Sequence, residues 1–175
     1  MSTLRAPFNL SRWIEENREL LRPPVSNQQV WEGTDLIVMI VGGGNVRTDY
    51  HDDPRGEFFH QLVGDMTLRV MPEDGGPAED LTIAEGDVFY LPPHVRHSPQ
   101  RPDPDSIGLV VEIDRVDGEI DGFEWFCPEC NSLIHRTEVQ LASLVTDLPP
   151  LFEAFYGDEA ARTCERCGAV HPDGR

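Results

Sequence analysis

The chain has 175 residues, with 32 acidic against 14 basic side chains and a formal net charge of -18. That length allows one domain with a small appendage, and a core of that size needs no disulfide staples. So acidic a surface repels nucleic-acid phosphates and anionic lipid headgroups, and no stretch approaches the ~20 apolar residues that span a bilayer.

The chain opens at Met1 to Pro7 without the apolar run of a signal peptide, so a cytoplasmic home is expected. Ser11 to Leu21 reads as an amphipathic helix in which Trp13, Ile14, Leu20 and Leu21 can share a face, stopped by Pro23 and Pro24. From there to about Ile113 the pattern is strand-like, with apolar runs at Asp35–Val41, Glu57–Val63, Met66–Met71, Asp87–Leu91 and Ile107–Ile113. Turn residues separate them, including Gly42, Gly43 and Gly44 and the Pro72 to Pro77 stretch. Many short strands at this spacing predict a sandwich or barrel. The glycine trio lacks the Lys-Ser/Thr of a phosphate loop. A second character starts near Gly118, where two Cys-x-x-Cys pairs flank Leu133 to Phe155. Leu141, Leu144, Val145, Leu148 and Leu151 to Phe155 predict helical stretches there, broken by Pro149 and Pro150. The chain therefore divides into 1–117 and a C-terminal extension, 118–175.

Two spaced constellations carry chemistry. The first runs Gly43, Asp49, His51, Glu57, Gly64; the second runs Gly86, Pro92, His94, His97, Arg101. They are similar to the paired motifs of the cupins, usually written G-x5-H-x-H-x3,4-E-x6-G and G-x5-P-x-G-x2-H-x3-N. Both glycines of the first motif match, as do Glu57 with six residues before Gly64, and Gly86-x5-Pro92 with His97 in place. Asp49 stands where the first histidine would be, and five residues separate His51 from Glu57. His94 and Arg101 replace the second motif's Gly and Asn. The candidate ligands are then His51, Glu57 and His97, two imidazoles and a carboxylate. That set on one face of an iron(II) ion leaves positions open for dioxygen and two neighbouring donor atoms of a substrate. A structural zinc would instead be closed by four protein ligands. A lone histidine among strands is ordinarily a packing residue; three candidate ligands at these spacings favour metal.

Longer stretches narrow the family. Arg47 to Pro54 with Glu57 to Leu62, Leu91 to Pro102, Asp121 to Cys127, and Thr146 to Glu153 together resemble the bacterial 3-hydroxyanthranilate 3,4-dioxygenases. The resemblance extends from Ala6 to the last cysteine pair. It implies a mainly β cupin barrel (a double-stranded β-helix, or jelly roll) with short helices and a C-terminal rubredoxin-like metal knuckle. It implies iron(II) at His51, Glu57 and His97, with Arg47, Arg101 and Glu112 around the substrate. It also implies ring opening of 3-hydroxyanthranilate by dioxygen to 2-amino-3-carboxymuconate semialdehyde, the precursor of quinolinate in the kynurenine route, and a homodimer. The substrate's vicinal amino and hydroxyl groups can chelate iron, and its carboxylate calls for the forked donors of arginine. Glu112 lies in the apolar run Gly108 to Ile113, where a carboxylate needs a partner or a task, such as taking the phenolic proton. Asp49 reads either as support for a ligand or substrate arginine or as a turn residue.

Cys127-Pro-Glu-Cys130 and Cys164-Glu-Arg-Cys167 use every cysteine in the chain. Two such knuckles resemble a rubredoxin or zinc-ribbon site, with iron or zinc held by four thiolates in a structural role. His60, His94, His135 and His171 receive no role; His94 falls on the turn of the second motif. The competing readings are another metal-dependent cupin enzyme and a non-catalytic metal-binding cupin sensor.

Overall fold

Alternation of buried and less buried side chains along two central strands sets the architecture. The computed structural model describes residues 4, 6–23, 26–141 and 144–173, without the side chains of Leu144 and Val145. The readings made for Met1 to Thr3, Arg5, Pro24 and those two side chains lie outside the described residues. In chain order the elements are α1 (Leu10–Glu16), a 3-10 turn (Arg18–Leu21), β1 (Asn27–Gln29), β2 (Leu36–Gly42), β3 (Tyr50–Asp52) and β4 (Glu57–Val63). There follow β5 (Met66–Val70), β6 (Glu79–Ile83), β7 (Val88–Leu91), β8 (His97–Gln100), β9 (Ile107–Ile113), β10 (Asp121–Phe126), β11 (Leu133–Val139), α2 (Leu144–Gly157) and α3 (Glu159–Arg162).

The strands form two sheets, ordered β1-β2-β9-β4-β7 and β11-β10-β3-β8-β5-β6, with antiparallel pairing. This is the cupin jelly roll. Strand β4 buries Glu57, Phe59 and Gln61, while β9 buries Gly108, Val110 and Glu112. Their register sets Glu57 opposite Glu112, Phe59 opposite Val110 and Gln61 opposite Gly108. The period of two thus builds inward-facing layers, polar at each end and apolar between. Phe59 and Val110 join Met39, Val41 and Leu91 of their own sheet and Met66, Leu68 and Ile83 of the other in one core.

Helix α1 begins at Asn9, whose side chain accepts a hydrogen bond from the Arg12 backbone N–H at 2.9 Å. It ends at Glu16 rather than running to Leu21, and the tighter 3-10 turn completes the segment. That change of pitch swings Leu20 out to 52% exposure, while Leu21 is buried against Ile40 and Ile107 with Trp13 and Ile14 packed alongside.

The second half departs further from the sequence expectation. Leu133 to Val139, ahead of the residues expected to be helical, is a strand: its β-branched Ile134, Thr137 and Val139 suit a sheet, and it pairs with β10. Nor do Pro149 and Pro150 break α2, which runs through them. The missing N–H groups cost backbone hydrogen bonds, offset by Leu148, Phe152 and Phe155 packing with Trp125 and Phe123. Strand β10, which lies past residue 118, pairs with β3 and sets Phe123 opposite His51.

Trp125 anchors this layer. It is fully buried, stacked on Phe155 at 4.3 Å between centroids and met edge-on by Phe152 at 5.6 Å. Its indole N–H donates to the Tyr156 hydroxyl at 3.2 Å. Trp125→Ala is expected to destabilise the protein by ~3–5 kcal/mol, and Trp125→Phe by clearly less, in chemical denaturation. Equal losses for the two variants would show that burial volume is not what Trp125 contributes.

Candidate metal centre

His51 and His97 are cross-strand partners in β3 and β8, and Glu57 begins β4 in the facing sheet. All three are buried. The second nitrogen of each ring is already engaged. His97 Nδ1 lies 2.8 Å from the Val95 carbonyl, and His51 Nε2 lies 2.8 Å from Asp121 Oδ1. Neither a carbonyl nor a carboxylate can donate, so these nitrogens carry the protons and leave His97 Nε2 and His51 Nδ1 as lone-pair donors. Those two atoms approach the same carboxylate oxygen, Glu57 Oε1, at 2.8 and 3.7 Å. The His51 ring is fixed further by a parallel stack on Phe123 at 4.8 Å.

The donor set fits a metal ion. Glu57 Oε1 is buried without a hydrogen bond of normal geometry, a costly state that a cation would relieve. Burial alone would raise the Glu57 carboxyl, yet attraction to His97 and His51 in their protonated form holds it down to about 2, and a bound cation would take the place of those protons. Two other groupings bring acids close together, His51 with Asp53 and Asp121, and Asp53 with Glu57 and Glu112. Both include carboxylates already paired with the Arg115 guanidinium, beside which a further cation would be repelled. The two-histidine, one-carboxylate set therefore fits best, and it is the set of non-haem oxygenases.

A cavity of about 150 Å³ opens onto these ligands, lined also by Arg47, Arg101, Glu112, Phe59, Val110 and Leu148. Arg101 is 1% exposed and reaches from beyond β8 across to the other sheet. Its Nη1 donates to Gln61 Oε1 at 2.5 Å and to Ser106 Oγ at 3.4 Å, its Nη2 contacts Met66 Sδ at 3.0 Å, and its Nε has no partner. Burial pushes its pKa down to about 10. Gly108 makes room for it: a Cβ there would sit 2.2 Å from Arg101 Nη2.

Arg47 is different in kind. Its Nε donates to Asp49 Oδ1 at 3.2 Å and its Nη2 to Asp49 Oδ2, so Asp49 partners an arginine of the cavity wall. Glu112 is pushed up to about 7, first by burial and then by the negative charge of Glu57, against the pull of Arg115. His94 sits on its turn at positive φ, its Nδ1 3.0 Å from Asp52 Oδ1. His60, His135 and His171 stay off the cavity wall. The sequence reading passed over Arg115, Asp53 and Asp121. The available signals were Asp53 two residues beyond His51 and Asp121 at the head of the stretch running to Cys127.

The four cysteines also come together. Cys127 Sγ lies 3.5 Å from Cys167 Sγ and Cys130 Sγ lies 3.6 Å from Cys164 Sγ, none of them in a disulfide. Thiolates ~2.3 Å from a central ion would be roughly 3.8 Å apart in a tetrahedron. The two knuckles share one turn: Asn131 and Gly168, each four residues past the first cysteine of its pair, adopt φ of 56° and 77°. Each donates its N–H to the carbonyl of that cysteine, at 2.9 and 2.8 Å.

Facing antiparallel sheets with this donor set between them define a metal-dependent cupin. The chain belongs to the 3-hydroxyanthranilic acid dioxygenase family, whose model matches residues 1–156. A 3-hydroxyanthranilate 3,4-dioxygenase of Shewanella woodyi is 59% identical over 172 residues, 98% of this chain and 89% of its own. That of Ruegeria pomeroyi is 60% identical, covering 94% of this chain and 91% of its own. That of Paraburkholderia phytofirmans is 56% identical, covering 98% of each. Among solved structures, a cupin-2 domain protein of Shewanella frigidimarina is a distant likeness, with a TM-score of 0.43 and 17% identity over 58% of this chain and 92% of its own.

Replacing His51, Glu57 or His97 with Ala is expected to weaken metal binding at this centre by at least roughly tenfold and to abolish turnover. Metal analysis after dialysis against a chelator checks it. Retained metal and full activity in any one variant would remove that residue from the ligand set.

Proposed function

We propose that this chain is an iron(II)-dependent dioxygenase that opens the ring of 3-hydroxyanthranilate, adding both atoms of dioxygen to form 2-amino-3-carboxymuconate semialdehyde. The observation that carries this reading is Arg101. Among the described residues, its guanidinium is buried with hydrogen bonds to neutral groups only, its Nε has no partner, and the residue lines the cavity. A buried cation without a counter-charge is expensive, and a ligand carboxylate removes the cost. A metal-binding cupin sensor would have no use for such a group.

The other residues fit the same substrate. Arg47, tethered by Asp49, offers the carboxylate a second cationic donor in the cavity wall. Glu112, pushed up to about 7, is poised to accept the phenolic proton near neutral pH. Phe59, Val110 and Leu148 keep the reacting ring dry. Iron(II) held by His51, Glu57 and His97 would supply open positions where dioxygen and the vicinal amino and hydroxyl groups can meet.

The four-cysteine cluster is read as a structural iron or zinc site, on the strength of its sulfur spacing and its separation from the cavity wall. Through the family resemblance, the working form is a cytoplasmic homodimer. Among the described residues no helix is long and apolar enough to cross a membrane.

Two experiments test these assignments. Cys127→Ser with Cys130→Ser should lower thermal stability while leaving metal at the histidine centre. A folded variant that keeps that metal but loses all turnover would contradict the structural role. For the substrate, the wild-type protein should prefer 3-hydroxyanthranilate over 2-aminophenol, which has the chelating pair without the carboxylate. In Arg101→Ala that preference should shrink by roughly ten- to a hundredfold, the worth of a charge-assisted bidentate contact of ~1.5–3 kcal/mol. Relative efficiencies for both compounds on both proteins give the answer, and an unchanged preference would sink the carboxylate assignment.

A further inference from the structure

Arg115 does not line the cavity, yet its side chain is 3% exposed and grips carboxylates from three separate segments. Its Nη1 donates to Glu112 Oε2 at the end of β9. Its Nη2 donates to Asp53 Oδ2 and to Asp121 Oδ1, each at 2.7 Å. Its Nε lies 3.2 Å from both Asp121 oxygens. Asp53, Glu112 and Asp121 are themselves buried. Two of the three lead directly to the reaction site: Asp121 Oδ1 accepts from His51 Nε2 at 2.8 Å, and Glu112 faces Glu57 across the β4–β9 register and lines the cavity.

We propose that Arg115 is a positioning residue that fixes two groups at once, the metal-facing angle of the His51 ring through Asp121 and the substrate-facing angle of Glu112 directly. The inference rests on the dioxygenase reading above. A planar guanidinium suits the task because one rigid fork can present donors in several directions in its own plane; an ammonium is a point charge that cannot hold the same three carboxylates in register. Charge neutralisation alone would need only the positive charge. Orientation needs the fork, and the two requirements separate in Arg115→Lys. The loss expected from that variant is of the size seen when groups behind a metal ligand are removed, since such groups set the direction of the ligand's lone pair.

The experiment uses the full chain as wild type, Arg115→Lys, Glu112→Gln and the double variant. Each is measured for melting temperature, iron(II) affinity at the histidine centre by chelator competition, and kcat and KM at saturating iron. Arg115→Lys should remain folded, lose roughly ten- to a hundredfold in iron affinity and lose roughly tenfold or more in kcat, with KM changed by less than about threefold. In the Glu112→Gln background the same substitution should cost kcat less than about threefold, because the group it orients is already gone, while the iron affinity still falls. Iron affinity within about twofold of wild type in folded Arg115→Lys would overturn the proposal, as would an equal kcat loss in both backgrounds. Where Arg115→Lys fails to fold, Asp121→Asn takes its place. It should show the same loss of iron affinity, and unchanged affinity there also overturns the link to His51. A wild-type protein inert towards 3-hydroxyanthranilate would instead sink the functional reading, with the affinity measurements still judging Arg115.

Discussion

Glu57 and Glu112 stand directly opposite one another in adjacent strands, both nearly excluded from water. Like charges in that position repel strongly at low dielectric, so the arrangement survives only if positive charge is brought to each. The surroundings divide the task. Glu57 turns its Oε1 toward the two histidines of the facing sheet, where a metal cation held between them would supply the positive charge. Glu112 turns toward Arg115, which also collects Asp53 and Asp121. One carboxylate is thereby kept ionised for a metal, and the other is left near neutrality where it can exchange a proton.

The cavity's other wall inverts this pattern. Around the metal ligands, carboxylates outnumber cations; at Arg101 a cation is buried with no anion beside it among the described residues. The sequence's large negative charge is therefore shared by the metal side of the site but not by the wall that holds Arg101. Gln61 and Gly108, opposite one another in β4 and β9, explain how the guanidinium is accommodated. One supplies an acceptor and the other supplies the absence of a side chain. The same pair of strands thus carries the carboxylate layer at one end, an apolar layer in the middle and the arginine seat at the other, each set by the period of two.

Strands with strong apolar character were legible in the sequence: Glu57 to Val63 and Ile107 to Ile113 have the bounds expected of them. Strands β3 and β8, which bear the histidines, were not, because Tyr50 to Asp52 and His97 to Gln100 are short and polar. Their extended form comes from pairing with neighbours rather than from their own propensity. The three candidate ligands could still be picked out, since motif spacing does not require the strands to be recognised. The Arg115 cluster was illegible for a different reason. Its members come from three loop-proximal positions, and nothing in local pattern says that Asp53, Asp121 and an arginine after β9 will meet. Pro149 and Pro150 misled in the opposite direction, since local backbone preference there is overridden by aromatic packing on Trp125.

Distance along the chain also hides a mechanical continuity. The first knuckle begins at Cys127, one residue past β10, and the second at Cys164, two residues past α3. Joining them closes a loop whose middle is β11 and α2. That loop is part of the cavity, because Leu148 of α2 lines it and the Tyr156 hydroxyl bonds both Thr48 Oγ1 at 2.7 Å and the Trp125 indole. Thr48 lies between Arg47 and Asp49, the tethered pair on the cavity wall. The first knuckle is itself held down by Asn131, whose amide donates to the Gly76 carbonyl at 2.6 Å in the loop between β5 and β6. A cysteine cluster with no residue on the cavity wall is thus joined to the segment that carries Arg47 through one strand, one helix and one hydroxyl.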